Sequence, residues 1–336
     1  MNPFFNLRES KGMSLIDFPD EFVVVDLETT GLDPVYDYII EIGAIRFSKG
    51  VEVERFCELV RPDEYMILDE EDLMETDDYR IIDGQPTRYI SNFITELTGI
   101  TNKMLESARG TKEVLTDFDA FLSDDIIVGH NVNFDVNFLY ESFLQHLGKP
   151  LRNNFIDTMR ISRRLLAELN HHSLKDLATY YKVSYGGAHR AINDCFITFK
   201  CFLGLKETAI ERYNSIEEFK NETLRRSTVS AKDIVTTKTS FDEDHPLFGK
   251  ICVFTGRLEG MTREEAMQIV ADLGGINSNT VTVDTDYLIL GNLNYSKQLK
   301  GGKSNKHKKA EELMLKGSGI SIITENVFFD LVGDEY

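Results

Sequence analysis

The 336-residue sequence contains no tryptophan and only four cysteines, and none of its apolar runs is long enough to cross a bilayer. The cysteines are widely spaced and form no CxxC pair, which excludes the usual patterns of a zinc site or a disulfide framework. The opening segment MNPFFNLRESKG has neither the apolar core nor the small-residue cleavage site of a secretory signal peptide. We therefore expect an intracellular, cytoplasmic protein with reduced thiols and no membrane partner.

Positive charge is also scarce in this chain. The sequence has 37 Lys and Arg against 56 Asp and Glu, a formal net charge of −19. Such a chain can approach nucleic-acid phosphates only where bound cations or a local basic surface reverse the field. The distribution of charge therefore matters more than its sum, and the length allows two ordinary domains.

The stretch FVVVDLETTG, residues 22–31, carries the first candidate site. Its apolar half predicts a buried strand, and Asp26 and Glu28 follow two positions apart. Because side chains alternate across a strand, both carboxylates point to one face, roughly 6–7 Å apart, where they can hold hard divalent cations. A second interpretation stays open, in which Asp26 only caps the following turn and Glu28 is only solvated.

Two further strands are predicted next, at residues 38–47 and 51–60, joined by a tight turn at 48–50. The first three strands should form an antiparallel meander. From residue 63 to residue 84 the sequence is strongly acidic and its periodicity is poor, which predicts a surface insertion.

Downstream residues add two carboxylates and a histidine. Asp135 falls in the first turn of a predicted helix, where an isolated Asp would only favour the helix dipole. His189 follows a Gly-rich approach and Asp194 lies in the next helix, although a lone His in such a loop is more often a surface residue. Four acids from three separate elements plus one histidine are what two-metal phosphodiester hydrolysis requires.

Three segments resemble the motifs of the DEDD-type 3′–5′ exonucleases with the His variant, a family that includes the proofreading epsilon subunit of bacterial DNA polymerase III. They are DLETTG at 26–31, GHNVNFDVNFL at 129–139 and HRAINDC at 189–195. The resemblance covers about residues 22–203. It implies a ribonuclease H-like α/β fold, with a mixed sheet flanked by helices.

The resemblance also implies a role for each candidate residue. Four carboxylates would ligate two divalent metal ions, Mg²⁺ or Mn²⁺, and these are Asp26, Glu28, Asp135 and Asp194. His189 would be the general base that takes a proton from the attacking water, and the products would be nucleoside 5′-monophosphates. Residues implied to contact the terminal nucleotide are Thr29, Thr30, Gly31, Asn131 and Phe134.

A second unit is predicted from residue 246 onward. Its predicted strands are 250–255, 281–283, 287–290 and 320–323, and its helices are 262–273, 306–315 and 325–331. This order and the segments VFTG, LGG, YLILG and HKKAEEL resemble a BRCT domain, closest to the type appended to bacterial NAD-dependent DNA ligases. The implied fold is a small α/β domain with a parallel sheet. Phe328 stands where many BRCT domains carry a Trp.

Residues 297–309 contain six lysines and no acid. A solvated loop and helix face would explain them. By the BRCT resemblance, the alternative is a phosphate pocket made by Thr255, the Gly256 amide and Lys309, which would hold a DNA end, a nick or a phosphorylated partner.

We therefore expect an N-terminal extension (1–20), an exonuclease domain (21–204), a helical, polar linker (205–245) and a BRCT domain (246–333). The expected function is metal-dependent 3′–5′ hydrolysis of DNA, single-stranded or at 3′ ends, in replication proofreading or repair. The BRCT domain would target the enzyme to DNA ends or to a protein partner. Two alternatives stay open: an exoribonuclease that trims RNA 3′ ends, and a non-catalytic scaffold that binds nucleic acid or a partner.

Overall fold

A computed structural model describes residues 8, 10–69, 73, 78–169, 171–186, 190–223, 230–256, 258, 261–291 and 303–333. The chain divides into two compact units, one built mainly from residues 17–212 and the other from the residues that begin at Tyr213. Within the described residues, no helix combines the length and the apolar character that a membrane crossing requires.

The first half of the chain is rich in strands. They are β1 (Ser14–Leu15), β2 (Glu21–Thr29), β3 (Ile39–Ser48), β4 (Val51–Arg61), β5 (Met66–Ile67), β6 (Arg80–Ile82), β7 (Gln85–Arg88), β8 (Arg109–Gly110), β9 (Ile127–Gly129) and β10 (Phe155–Asp157). In the large sheet, β10, β9, β2, β3, β4 and β8 lie side by side in that order. The β2–β3 and β3–β4 pairs are antiparallel, whereas β2–β9, β9–β10 and β4–β8 are parallel.

Helices follow or alternate with these strands. They are α1 (Asn92–Thr98), α2 (Asn102–Glu106), α3 (Thr111–Leu122), α4 (Asn133–Leu147), α5 (Thr158–Leu165), α6 (Leu174–Tyr180), α7 (Ala191–Tyr213) and α8 (Ile216–Thr223). The predicted α/β class, a mixed sheet flanked by helices, is confirmed. The predicted meander is confirmed too, and Lys49 and Gly50 make its turn with φ of 51° and 79°.

The acidic insertion predicted at 63–84 is partly outside the described residues. Its described part contributes β5 and β6, which flank β7 in a small antiparallel sheet separate from the large one. The insertion therefore includes regular structure of its own.

The two faces of the central strand β2 pack against different helices. Val23, Val25 and Leu27 belong to one buried apolar cluster together with side chains of α3 and α4. On the opposite face, Phe22 packs against Phe202 of α7, with ring centroids 5.2 Å apart. Because side chains alternate along a strand, Asp26 and Glu28 lie on the α7 face of β2.

Helix α7 approaches the sheet closely at Gly43 of β3. A Cβ atom at Gly43 would lie 2.4 Å from the carbonyl carbon of Ala191 and 2.6 Å from the amide nitrogen of Ile192. The Cys195 thiol donates a hydrogen bond to the Gly43 carbonyl at 3.1 Å. Glycine in this strand therefore allows the first turn of α7 to rest directly on the backbone of the sheet.

The second unit contains a four-stranded parallel sheet in the order β12, β11, β13, β14. Its elements are β11 (Ile251–Thr255), α9 (Arg263–Asp272), β12 (Ile276–Ser278), β13 (Tyr287–Leu290), α10 (Asn305–Leu315), β14 (Ser321–Thr324) and α11 (Glu325–Val332). The predicted parallel α/β domain is confirmed. Phe328 is fully buried and packs edge-to-face on Phe254, with ring centroids 5.4 Å apart.

One predicted strand of this unit is wrong. The strand placed at 281–283 is found earlier, at Ile276–Ser278, where the chain pairs in parallel with Ile251–Val253. The apolar residues at 281–283 predicted a strand, but Val281 packs against a buried cluster of this unit without joining the sheet.

The stretch predicted as a linker, 205–245, is structured at both ends. Helix α7 continues through residue 204 to Tyr213. Further on, the Ala231 amide donates to Asn279 Oδ1 at 3.2 Å and the Thr236 hydroxyl to Asp272 Oδ1 at 2.6 Å, so these residues are attached to the second unit. The domain boundaries themselves stay a prediction.

Candidate active site

Three of the predicted carboxylates converge at the end of β2. One oxygen from each of Asp26, Glu28 and Asp194 lies within 4.8 Å of the other two. Asp26 and Glu28 come from the same face of β2, and Asp194 comes from the first turn of α7. The hydrogen-bond register between β2 and β3 shifts between Glu28 and Thr29, directly after the second carboxylate of β2.

The fourth predicted carboxylate, Asp135, lies beside this group and is fixed by the backbone. Its Oδ1 accepts a hydrogen bond from the Leu27 amide at 3.0 Å, between the two acidic positions of β2. Asp135 is only 5% exposed, in the first turn of α4. Asp135 contributes electrostatically to the raised pKa of Asp26, which places all four acids in one electrostatic cluster.

The crowding of these acids disfavours their charged forms. Burial, and then the charges of Asp135, Asp194 and Glu28, raise the pKa of Asp26 well above its usual range. Burial, Asp194 and Glu41 raise the pKa of Glu28 to about 7, and Arg190 opposes this shift. Without a cation, the folded protein must hold repelling charges here or bind protons.

This donor set suits a hard divalent cation. Carboxylate oxygens are the ligands that Mg²⁺ and Mn²⁺ prefer, and the group contains no thiolate or imidazole among its described members. A cation at this position would also remove the repulsion that raises the pKa values. The residues present therefore fit the predicted metal.

The residues predicted to contact a nucleotide on the β2 side form an ordered turn. The Thr29 hydroxyl donates to the Gly31 carbonyl at 2.7 Å, and the Thr30 hydroxyl donates to Asp37 Oδ1 at 3.1 Å. A Cβ atom at Gly31 would lie 2.4 Å from Asp37 Oδ2. Asp37, which the sequence interpretation did not single out, therefore organises the turn that borders the carboxylates.

Two more predicted contact residues flank Asp135 in α4 and the preceding turn. Asn131 has a φ of 55°, and its backbone N–H donates a hydrogen bond to Asp157 Oδ1 at 3.0 Å. Phe134 is half-buried and packs on Phe138, with ring centroids 4.8 Å apart. His189 lies outside the described residues, so its role stays a prediction.

An ion pair between buried Glu41 and partly exposed Arg190 lies next to the site and was missed by the sequence interpretation. Glu41 of β3 is 1% exposed. Its carboxylate accepts hydrogen bonds from Arg190 Nε at 3.1 Å and from a second guanidinium nitrogen of Arg190 at 2.6 Å. The same carboxylate accepts a hydrogen bond from the Ala191 amide at 2.9 Å. The pair thus fixes the residue after His189 and the start of the helix that carries Asp194. Its partners are 149 residues apart, so no local pattern reveals it.

The second unit carries a smaller polar group at the end of β11. The Thr255 hydroxyl donates to Ser304 Oγ at 2.8 Å, and Arg263 donates to the Gly256 carbonyl at 2.8 Å. Lys306 Nζ donates to the Phe254 carbonyl at 2.9 Å, and burial and Arg263 lower its pKa to about 8. Lys309 lies on α10, half-exposed, 3.5 Å from Glu312. Lys306 therefore contacts this backbone directly, and the predicted role of Lys309 stays a prediction.

Comparison with known proteins identifies both units. A family model described as Exonuclease (RNase_T) matches residues 23–72 and 82–202, and a model described as BRCA1 C Terminus (BRCT) domain matches residues 243–332. The chain belongs to the exonuclease family and carries a C-terminal BRCT domain, as its motifs predict. The gap in the first match falls inside the acidic insertion.

Curated relatives of this chain include two proteins named as DNA polymerase III or one of its subunits. The chain is 33% identical over 192 residues to DNA polymerase III subunit epsilon of Aquifex aeolicus, covering 57% of this chain and 83% of that protein. It is 35% identical over 204 residues to the PolC-type DNA polymerase III of Thermotoga maritima, covering 60% of this chain but only 13% of that protein. The chain therefore spans only a small part of the PolC-type relatives.

Solved structures of exonucleases are also similar. Exonuclease X in complex with 5′ overhanging duplex DNA matches with a TM-score of 0.40 and 24% identity, covering 55% of this chain and 91% of that one. Escherichia coli ExoI in complex with single-stranded DNA matches with a TM-score of 0.46 and 17% identity, covering 62% of this chain and 44% of that one.

Replacing Glu28 with Gln should stabilise the metal-free protein at alkaline pH. Because the folded pKa of Glu28 is raised to about 7, the folded state retains a proton that the unfolded chain has released between pH 4.5 and 7. The wild type therefore loses stability as the pH rises through that window, and Glu28→Gln loses less because the contribution of Glu28 is absent. In chelator at about pH 8, urea denaturation should show the variant more stable by on the order of 2 kcal/mol.

Glu21→Gln is the matched control for this measurement, because Glu21 is exposed on the same strand. It should change the free energy of unfolding by less than about 0.5 kcal/mol. A stability gain from Glu28→Gln that stays constant between about pH 4.5 and 8 would contradict the raised pKa.

Replacing Glu41 with Gln should weaken both the fold and the site. The substitution removes the charge that Arg190 faces and one acceptor at the start of α7. Because Arg190 is partly exposed, we expect a loss of about 1–3 kcal/mol in unfolding free energy. Displacement of Asp194 should lower kcat about ten- to a hundredfold. Glu54→Gln, which breaks the exposed pair with Arg46, should change stability by less than about 0.5 kcal/mol. Wild-type kcat in Glu41→Gln would show that the pair does not position α7.

Proposed function

We propose that this chain is a metal-dependent 3′–5′ exonuclease that removes nucleotides from DNA 3′ ends and releases nucleoside 5′-monophosphates. The observation that carries the proposal is the convergence of Asp26, Glu28 and Asp194 within 4.8 Å, with Asp135 fixed beside them by the Leu27 amide. A scaffold without catalysis would gain nothing from a group of four carboxylates whose crowding raises the pKa of Asp26, Glu28 and Asp135.

Each protein group has a part in this chemistry. Asp26, Glu28, Asp135 and Asp194 would hold two divalent ions, Mg²⁺ or Mn²⁺. When bound, such ions lower the pKa of the attacking water and neutralise charge on the scissile phosphate and the leaving oxygen. His189, two residues before the helix that carries Asp194, would accept the proton of the water. Glu41 and Arg190 would keep that segment in register with β3.

The relatives support DNA as the substrate. A relative of which the chain covers 83% is named as a subunit of DNA polymerase III, and a BRCT domain suits an enzyme that acts at DNA ends. We propose a role in replication proofreading or DNA repair, in the cytoplasm. The BRCT domain would bring the enzyme to a DNA end or to a protein partner, through the polar group of Thr255, Gly256 and the lysines of α10.

The proposal predicts that Asp26→Asn abolishes a metal-dependent activity. The assay is digestion of 5′-labelled single-stranded DNA, recessed duplex DNA and RNA with Mg²⁺, Mn²⁺ or chelator. The wild type should give a ladder that shortens from the 3′ end on DNA, and Asp26→Asn should be at least a hundred- to a thousandfold slower, because a ligand at the centre of the cluster is lost.

Asp20→Asn is the control, because Asp20 is an exposed acid just before β2 and should leave the rate unchanged. Faster digestion of RNA than of DNA would favour the exoribonuclease alternative. If no substrate is cleaved in a metal-dependent way, the proposed function is contradicted and the scaffold alternative is favoured.

A further inference from the structure

A pocket on the exonuclease unit carries positive charge that the proposed chemistry does not use. It encloses about 650 Å³ and lies between the first turns of α7, the segment after α6 and strand β4. We call it the cationic pocket and define it by Arg55, Lys182, Ser184, Phe196 and Lys200. None of its ten described lining residues is acidic, in a chain whose net charge is −19.

The two lysines of the cationic pocket are available for a ligand. Lys182 and Lys200 are exposed, and no ion pair to either is found among the described residues. Arg55 is exposed as well, but Glu52 accepts two hydrogen bonds from it, at 2.9 and 3.0 Å. The positive field of the pocket therefore comes mainly from the two lysines.

Phe196 gives the pocket an apolar surface. Its side chain is 44% exposed although the neighbouring Phe199 is buried. Lys200 Nζ lies 5.1 Å from the centroid of the Phe196 ring. An exposed aromatic ring beside free ammonium groups is the combination that single-stranded nucleic acids use, with a base on the ring and phosphates on the cations.

The pocket adjoins the carboxylate cluster. Asn193 lines the pocket, and the next residue in α7 is Asp194 of the cluster. Ser184 and Gly186 line the pocket, and between them Tyr185 is close enough to Asp194 and Asp26 that these charges, after burial, raise the pKa of its phenol. Two chain segments, at residues 193–194 and 184–186, therefore connect the lining of the pocket to residues at the carboxylates, which brings both places within reach of one bound strand.

We propose that the cationic pocket binds single-stranded nucleic acid, namely the part of the substrate strand that continues 5′ of the terminal nucleotides. Phe196 stacks on a base, and Lys182 and Lys200 contact phosphates. In an otherwise acidic protein, this pocket supplies the local reversal of field that a polyanion requires. The proposal rests on the proposed function, and it adds the path of the strand.

The backbone conformation at Lys182 allows a substitution that removes the cation without straining the fold. Lys182 has a φ of 56°, in the left-handed region that glycine adopts without strain. Lys182→Gly therefore removes the cation and relieves the backbone at the same time, so weaker binding cannot be attributed to a damaged fold. Lys200→Gln retains most of the aliphatic stem that covers the Phe196 and Phe199 rings.

The first test measures binding directly in the full chain, with Asp26→Asn present to prevent hydrolysis and chelator to exclude metal. Fluorescence anisotropy with a labelled twelve-nucleotide single strand gives Kd as a function of salt. Lys182→Gly with Lys200→Gln should weaken binding about tenfold and reduce the slope of log K against log salt by about 1.4, because two phosphate contacts are lost. Phe196→Ala should weaken binding about five- to a hundredfold.

Lys103→Gln with Lys112→Gln is the charge-matched control, because both lysines are exposed elsewhere on the same unit. This control should stay within about twofold of the parent apart from the general effect of net charge. Equal losses in the control and the pocket variants would overturn the proposal in favour of diffuse attraction. Unchanged binding in the pocket variants would overturn it outright.

The second test separates the pocket from the chemistry. In the active background, the pocket variants should raise KM for the twelve-nucleotide strand several-fold and leave kcat/KM unchanged for the p-nitrophenyl ester of thymidine 5′-monophosphate. That ester is too short to extend from the carboxylates into the pocket. If the parent hydrolyses neither substrate, the proposed function fails, and the anisotropy result still decides whether the pocket binds the strand.

Discussion

Mutual repulsion among four carboxylates is the constraint on which the rest of the exonuclease unit depends. Asp26, Glu28, Asp135 and Asp194 come from a strand and two helices. Burial and the charges of neighbouring carboxylates raise the pKa of Asp26, Glu28 and Asp135. The fold must hold them together against this repulsion, since each would be better solvated apart. A divalent cation held by these carboxylates would offset the repulsion, because its charge attracts the carboxylates that repel one another.

The surrounding structure provides rigid points for each acid. The Leu27 amide fixes Asp135, and Gly43 lets the first turn of α7 rest on the sheet so that Asp194 reaches the end of β2. The Glu41–Arg190 pair adds a charged link between β3 and the same turn. These contacts join protein groups to one another, which is what preorganisation of a catalytic site requires.

The carboxylates could be predicted from the sequence because local rules govern them. Strand alternation places Asp26 and Glu28 on one face, and the resemblance to the exonuclease motifs implies Asp135 and Asp194. The Glu41–Arg190 pair could not be predicted, because it joins residues 149 positions apart. The cationic pocket joins Arg55 to residues near 182 and 200, so it also exists only after folding.

Smaller misplacements have the same origin in tertiary contacts. The strand expected at 281–283 lies at Ile276–Ser278 because pairing with β11, and not apolarity alone, decides which segment joins the sheet. The contact of Lys306 with the Phe254 carbonyl at the end of β11 likewise appears only after folding, and the role of Lys309 stays a prediction.

Thermal unfolding of the exonuclease unit against Mn²⁺ concentration, at about pH 8, tests the central claim most directly. If the carboxylates form a cation site, Mn²⁺ should raise the Tm of the wild type, with a gain that grows as the logarithm of its concentration above Kd. Asp26→Asn should start from a higher Tm in chelator and gain little from Mn²⁺. An equal Mn²⁺-dependent rise in both proteins would contradict the account.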